Sequence, residues 1–406
     1  MGLNLNVVTW YNAVLELVRK SIGTSNGEFQ FNNLTEDDWQ KVAKETFDQT
    51  MGLMCFDAAC SVRSYIPEKV FEKWFNRTLR LTVNSIKNTT GQAKLVTLLT
   101  ENSIPYVLLK GAASAHYYPL PDKRASGDVD FIVKPEDVEK TKELLLENGY
   151  VLVCESNPVH YELDFEGVRF ELHNRVSGMP ENKRAREIFK KELENIVDMS
   201  EMCSGSFLKP SDYHHGVVIF LHIMHHMLSN GIGARQLCDW ACFVKETHEK
   251  DFWFKEMIPL LKKTGTFVFA SALTEACIHY LNIPKPSWHV TVTEDIRDSI
   301  IMEIYYSGNF GRKSPDNNSQ TNLMVVKNSK KLTFFGKIAK MARALHNSNK
   351  TVFPIIEKAP YLYPFIMIYR VFRHIALIIQ GKRPSLIKVS KQADARNKVF
   401  MKYNLY

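Results

Sequence analysis

Ile104-Pro-Tyr-Val-Leu-Leu109, Lys110-Gly111-Ala-Ala-Ser-Ala115 and Asp128-Val-Asp-Phe-Ile-Val133 follow one another closely in this chain, and their order decides the fold. The first is a short β-rich run. The second is a tight turn passing into small helix-forming residues, and the third is another strand, so the segment reads strand, turn, helix, loop, strand. A helix from Pro135 to Glu147 follows, with proline in its first turn and Asn148-Gly149 at its end. Tyr150 to Cys154 is a third extended run. Val159 to Phe165 and Val168 to His173 then alternate apolar and polar residues around Glu166-Gly167, the pattern of a hairpin closed by a two-residue turn. Counting outward from that turn pairs Phe165 with Val168, Leu163 with Phe170 and Tyr161 with Leu172 on an apolar face. On the other face Asp164 meets Arg169, Glu162 meets Glu171 and His160 meets His173.

Outward from this unit the chain is helical on both sides. Apolar residues recur at helical spacing over Val7 to Val18 and Asp38 to Met54, the latter opened by the capping signal Thr35-Glu-Asp-Asp. Beyond Asn174 the same spacing predicts helices at about 181 to 195, 212 to 228, 234 to 248 and 252 to 282. A chain of 406 residues with 45% hydrophobic and 24% charged residues buries a sizeable core, which excludes collagen, coiled coil and wholesale disorder. Seven cysteines without paired CxxC spacing argue against a disulfide scaffold or zinc knuckle, and the N-terminus lacks signal-peptide character, so the expected location is cytoplasmic.

Charge is distributed unevenly. Residues 321 to 406 hold 17 Lys and Arg against Glu357 and Asp394, so the +8 of the whole chain divides into +15 in the tail and −7 before it. Such a tail is either a docking surface for nucleic acid or an anionic membrane surface, or a solvated cationic appendage. Within it Tyr361 to Ile379 is nearly apolar but contains Arg370, Arg373 and His374, which argues against a transmembrane segment. It reads as a buried or partner-facing helix, or as a helix lying in a membrane interface, which would make the protein membrane-peripheral.

Asp128 and Asp130 leave the same face of their strand about 6–7 Å apart, close enough to share a divalent cation. Glu171, placed opposite Glu162, adds a third carboxylate whose repulsion calls for a cation or a neighbouring base. Taken alone, Asp-x-Asp on a strand edge also describes a solvated acidic face. The turn Lys110-Gly111 between strand and helix can offer backbone N–H groups and a Lys side chain to a phosphate, and Gly127 permits close approach of backbone before Asp128. Together these features point to metal-assisted phosphoryl or nucleotidyl transfer, with Mg²⁺ or Mn²⁺ suited to the hard oxygen ligands.

The motifs Leu-Leu-Lys110-Gly111-Ala-Ala, Tyr117-Tyr-Pro119, Arg124-Ala-Ser-Gly127-Asp128-Val-Asp130, Asn148-Gly149-Tyr150 and Phe-Glu171-Leu-His173 resemble the uncharacterised nucleotidyltransferase family of the polymerase-beta-like superfamily. Leu221-His222-Ile-Met-His225-His226 and Arg235-Gln-Leu-Cys-Asp239-Trp are similar to that family's helical half, so the resemblance spans roughly residues 35 to 270. It implies an α/β (α+β) fold, a minimal mixed sheet flanked by helices. It also implies Asp128, Asp130 and Glu171 as metal ligands and catalytic carboxylates, with Glu171 either ligand or general base. The implied reaction moves a nucleoside monophosphate from ATP or another nucleoside triphosphate to an unidentified acceptor. Where the superfamily carries a Gly-Ser pair this chain has Lys110-Gly111-Ala112, leaving Lys110, Gly111, Ser114, Arg124 and Gly127 as the phosphate-side candidates. A tRNA- or protein-modifying enzyme and a catalytically idle nucleotide-binding scaffold are the alternatives.

The expected organisation is a helical region at 1–90, a nucleotidyltransferase core at 91–178, a helical domain at 179–320 and the basic tail at 321–406. His215, His222, His225 and His226 fall near one helix face, as a cleft lining, as core histidines or, for His222 and His226, as a zinc pair. Arg235 and Asp239 stand one turn apart and are read as a local pair that clasps the domains or contacts the acceptor.

Overall fold

The hairpin that the alternation predicts is present with the counted register. Strands β4 (His160–Phe165) and β5 (Val168–His173) pair antiparallel with Glu162 opposite Glu171 and His160 opposite His173. Glu166 and Gly167 take φ of 53° and 72°, the left-handed pair that matches strand twist in a two-residue turn. The computed structural model describes residues 9–155, 157–203, 205–229, 231–309, 313, 360–380, 394, 397–398 and 400–403.

Strands β1 (Tyr106–Leu108), β2 (Val129–Val133) and β3 (Val151–Cys154) complete a mixed sheet in the order β1-β2-β5-β4-β3. The β2–β5 contact is parallel, placing Asp130 beside Glu171, and the remaining contacts are antiparallel. Pairing and pleat therefore line up Asp130, Glu171 and Glu162 across one face. The opposite face presents Phe131, Phe170, Leu172 and Leu163, all buried against Leu95 and Leu99 of helix α4 (Glu68–Glu101) and Leu145 of α6 (Val138–Glu147). One side of the sheet is thus a core, and the other is free to carry chemistry.

The other helices share a second apolar core. It draws on α1 (Thr9–Ile22), α2 (Glu36–Asp48), α3 (Gly52–Cys60), α7 (Lys183–Leu193), α8 (Asp212–Leu228), α9 (Ala234–Thr247), α10 (Ile258–Lys263), α11 (Phe267–Leu281) and α12 (Glu294–Ser307). N-terminal and C-terminal helices are therefore packed together, and α4 runs uninterrupted past residue 90. Thr35 caps α2 through a reciprocal box with Asp38, as its sequence signals. The helix expected over 38 to 54 divides instead into α2 and α3. Thr50 takes φ of 57°, and a Cβ at position 52 would collide with the Phe47 ring, so Gly52 lets the two helices meet at a sharp corner. The stretch 252 to 282 is broken by a π-helical turn at Trp253–Met257 and by Gly265 at φ 74°. Residues 200 to 210 form an antiparallel pair, Ser200–Cys203 with Phe207–Pro210, that the sequence reading did not anticipate.

No described helix is long and apolar enough to cross a membrane. Most of the basic tail lies outside the described residues. Its apolar stretch is a helix, α13 (Tyr363–Ile379), whose Phe365, Ile368, Phe372 and Ile379 are exposed rather than buried.

The sheet unit is fastened to the helical part by the loop after α5 (Lys110–Ala115). Arg124 donates from Nε and Nη2 to the two oxygens of Asp239 on α9, at 3.0 and 2.7 Å, and Tyr118 donates to Asp239 Oδ1 at 2.7 Å. Tyr117 likewise donates to Asp212 at 2.6 Å, beside Lys209. The clasp that the sequence assigned to Arg235 and Asp239 is therefore made by Arg124 and Tyr118, because the helix turns Asp239 toward the loop. Arg124 and Asp239 side chains are only 6% and 7% exposed, so removing one partner leaves a buried charge. Asp239→Ala should lower unfolding stability by about 3–5 kcal/mol, and Arg124→Met with Asp239→Leu should recover most of that loss, measured by chemical denaturation.

Candidate functional site

The polar face of the sheet forms the floor of a cleft of about 800 Å³. Asp128, Asp130, Glu171, His160 and His173 lie on the floor, Arg77, Lys87 and Asn88 on the α4 wall, and His222, His226 and Arg235 on the wall from α8 and α9. A concave site of this size with converging polar groups is the ordinary form of a small-molecule pocket.

Asp130 sits at its centre. Burial alone would push its carboxyl up, but Lys110 Nζ at 2.6 Å and His173 Nε2 at 2.9 Å from Oδ1 hold it well below the usual carboxylate range. Both partners are buried in turn; burial disfavours the charged form of each, and the Asp130 carboxylate outweighs it, so both pKa values lie above their ordinary ones. Lys110 adopts φ of 43°, a left-handed conformation that ordinary residues avoid, and it does so at the head of α5, where its chain turns back to reach Asp130. Its charge is thus committed to a carboxylate instead of standing open to a phosphate.

Asp128 contrasts with its neighbour. It precedes β2, is partly exposed to the cleft, and its pKa is raised to about 6 by burial and by the negative charges of Asp130 and Glu171. Ser126 Oγ donates to the Asp128 carbonyl at 2.8 Å, and Asn88 Nδ2 donates to the Ser126 carbonyl at 2.7 Å, so α4 fixes the approach to the acidic pair. A Cβ at Gly111 would push Ser126 Oγ out of its place, and with it the hydrogen bond to the Asp128 carbonyl. A Cβ at Gly127 would meet nothing within 4 Å, so this loop faces open space beside Asp128.

Glu171 Oε2 lies 3.3 Å from His173 Nε2 and 3.7 Å from His160 Nδ1, while Glu162 is approached by His160 at 3.5 Å and Arg169 at 3.7 Å. The facing glutamates are therefore compensated by neighbouring bases. The ligand atoms of His160, Glu171 and His173 all lie within 4.8 Å of one another, a grouping that can hold a metal ion. Asp128 stands outside that grouping; burial first, and then the nearby charges of Asp130 and Glu171, raise its pKa, and a cation beside it would relieve both of those repulsions.

Other candidates fall elsewhere. Ser114 is 2% exposed and lies outside the cleft lining, because α5 turns that position into the protein where it packs on α8. Arg124 reaches the cleft, but its planar fork is occupied by Asp239. His215 is fully buried, stacked on Tyr117 at 4.9 Å, whereas His222, His225 and His226 line the cleft. Burial and the neighbouring histidines push His222 and His226 well down, the latter to about 3, so both are neutral imidazoles. They do not enter the His/Glu grouping of the floor. The sequence reading missed the service of His160 and His173 to the carboxylates, although the hairpin register placed both on the acidic face.

A family model described as uncharacterised nucleotidyltransferase matches residues 35–282, which include the whole sheet, the acidic face and both cleft walls. The chain belongs to this family. It is a nucleotidyltransferase, and the expectation drawn from the motifs holds. No curated protein matches the chain.

The charge imbalance at Asp128 has a measurable consequence for the nucleotidyltransferase. Its carboxyl titrates near 3.8 when unfolded and near 6 when folded, so the folded state holds the proton more tightly. Stability contributed by this group is full below about pH 4 and is lost as pH rises through about 6. Asp128→Asn should therefore stabilise the metal-free protein by about 1–3 kcal/mol at pH 7.5, with the gain vanishing below about pH 4, measured by denaturation in a chelator.

Proposed function

We propose that the protein transfers a nucleoside monophosphate from a nucleoside triphosphate to an acceptor hydroxyl at the Asp128, Asp130 and Glu171 face. The observation that carries this reading is the convergence of three carboxylates on one floor of a cleft whose opposite walls carry Arg77, Lys87 and Arg235. Segregated charge of this kind suits a polyanionic substrate that arrives with a cation.

Asp128, Asp130 and Glu171 would hold Mg²⁺ or Mn²⁺, which when bound neutralises the triphosphate and sharpens the acidity of a nearby hydroxyl. The chain's own groups divide the remaining work. Asp130 is oriented by Lys110 and His173, so its free oxygen is fixed before any substrate arrives. Glu171, steadied by His173 and His160 through Oε2, accepts the proton of the acceptor hydroxyl. The new bond joins the acceptor oxygen to the α-phosphorus, the α–β anhydride bond breaks, and pyrophosphate leaves toward the cationic walls.

Incubating the purified chain with each α-labelled nucleoside triphosphate, Mg²⁺ and a cell extract, then separating small-molecule, RNA and protein products, tests the reading and identifies the acceptor class. Label in one fraction supports it, and label in none with every triphosphate overturns it. Asp128→Asn should reduce transfer on the order of 10²-fold or more while the fold stays intact, the scale of losing one preorganised charged group. Asp130→Asn should abolish transfer too, but it leaves Lys110 and His173 buried without their anion and should also cost about 3–5 kcal/mol of stability. Circular dichroism melts run beside the transfer assay separate the two effects.

A further inference from the structure

Most cations of the cleft have partners that account for them. Lys110 is held by Asp130, Arg124 by Asp239 and Lys123 by Asp57 at 3.1 Å, and Arg77 lies over the Phe47 ring at 3.8 Å. Arg235 is different. Its Nη1 donates to the Ala125 carbonyl at 3.2 Å, but its Nε is shielded from solvent and has no hydrogen-bond partner. Among the described residues no carboxylate lies within 4.0 Å of its guanidinium, and the acid one turn along its own helix is taken by Arg124 and Tyr118. An arginine held by one backbone carbonyl and by no carboxylate keeps its charge uncompensated and most of its hydrogen-bonding capacity unused, which leaves room for an anion as acceptor.

The surroundings say what that acceptor is. Arg235 opens α9, so the N-terminal turn of a 14-residue helix adds positive potential at the same spot. Ala125, which it contacts, belongs to the loop that leads to Asp128, and the side chain lines the same cleft as the acidic floor. An anion bound here would span from Arg235 toward the cation-seeking carboxylates, and a planar fork matches phosphate oxygens.

We propose that Arg235 is the residue that binds the β,γ-phosphates of the triphosphate and then the departing pyrophosphate. This rests on the nucleotidyl-transfer reading and adds the donor's phosphate tail as the feature recognised. The clasp on Asp239 frees Arg235 for the role: Arg124 and Tyr118 occupy the one acid on α9 that would otherwise neutralise it.

The test is equilibrium binding by calorimetry of inorganic pyrophosphate, the four nucleoside triphosphates and the four monophosphates, in Mg²⁺, to the full wild-type chain, Arg235→Gln and Arg235→Lys. Wild-type protein should prefer a triphosphate to its monophosphate. Arg235→Gln should lose at least tenfold for the triphosphate and for pyrophosphate and keep its monophosphate affinity, with Arg235→Lys between. The ratio of triphosphate to monophosphate affinity decides the matter, because loosened packing would lower both together. An unchanged ratio in Arg235→Gln overturns the assignment of Arg235 and leaves nucleotidyl transfer standing. Failure of the wild-type chain to bind any triphosphate or pyrophosphate overturns both.

Discussion

The buried Asp130 carboxylate, gripped by Lys110 and His173, is the interaction on which the site depends. It ties together three elements distant in sequence: the head of α5, the middle of the sheet at β2, and the end of β5. Lys110 accepts a left-handed backbone to make this contact, and Gly111 beside it leaves room for the Ser126 side chain. A buried carboxylate held by a lysine and a histidine is also rigid, which suits a site whose geometry must exist before substrate arrives.

Charge in the cleft follows a consistent logic. Acids gather on the sheet, where burial and then their mutual repulsion raise Asp128, and cations gather on the helices facing them. Neither side satisfies the other fully, since several cations are tied to carboxylates of their own. The molecule therefore sacrifices stability at the floor and at Arg235, and on the proposed reading a nucleotide and a divalent cation together would supply the missing charges. Such imbalance is the usual mark of a functional site as opposed to a structural ion-pair network.

Much of this was legible in the sequence, for local reasons. The hairpin register followed from a period of two and a Glu-Gly turn, and it correctly placed Glu162, Glu171, His160 and His173 on one face. The Asp128–Asp130 spacing and the Thr35 cap were equally local signals. What the sequence hid was long-range. Asp239 and Arg124 are separated by 115 positions, so the nearer Arg235 was the natural partner to infer, and only packing shows that α9 turns Asp239 away from it. The corner between α2 and α3 depends on the Phe47 ring filling the space above Gly52, and the π-turn at Trp253 keeps helical periodicity in composition while breaking it in space. Ser114 was misplaced for a related reason: one turn beyond Gly111, a six-residue helix already faces the interior.

On the proposed reading, the acidic floor binds a nucleoside triphosphate only together with a divalent cation. Calorimetric titration of the wild-type chain with each triphosphate, in Mg²⁺ and again in excess chelator, tests it most directly. The expected result is one-site binding of at least one triphosphate in Mg²⁺ that disappears in the chelator. Equal affinity with and without the cation would contradict it.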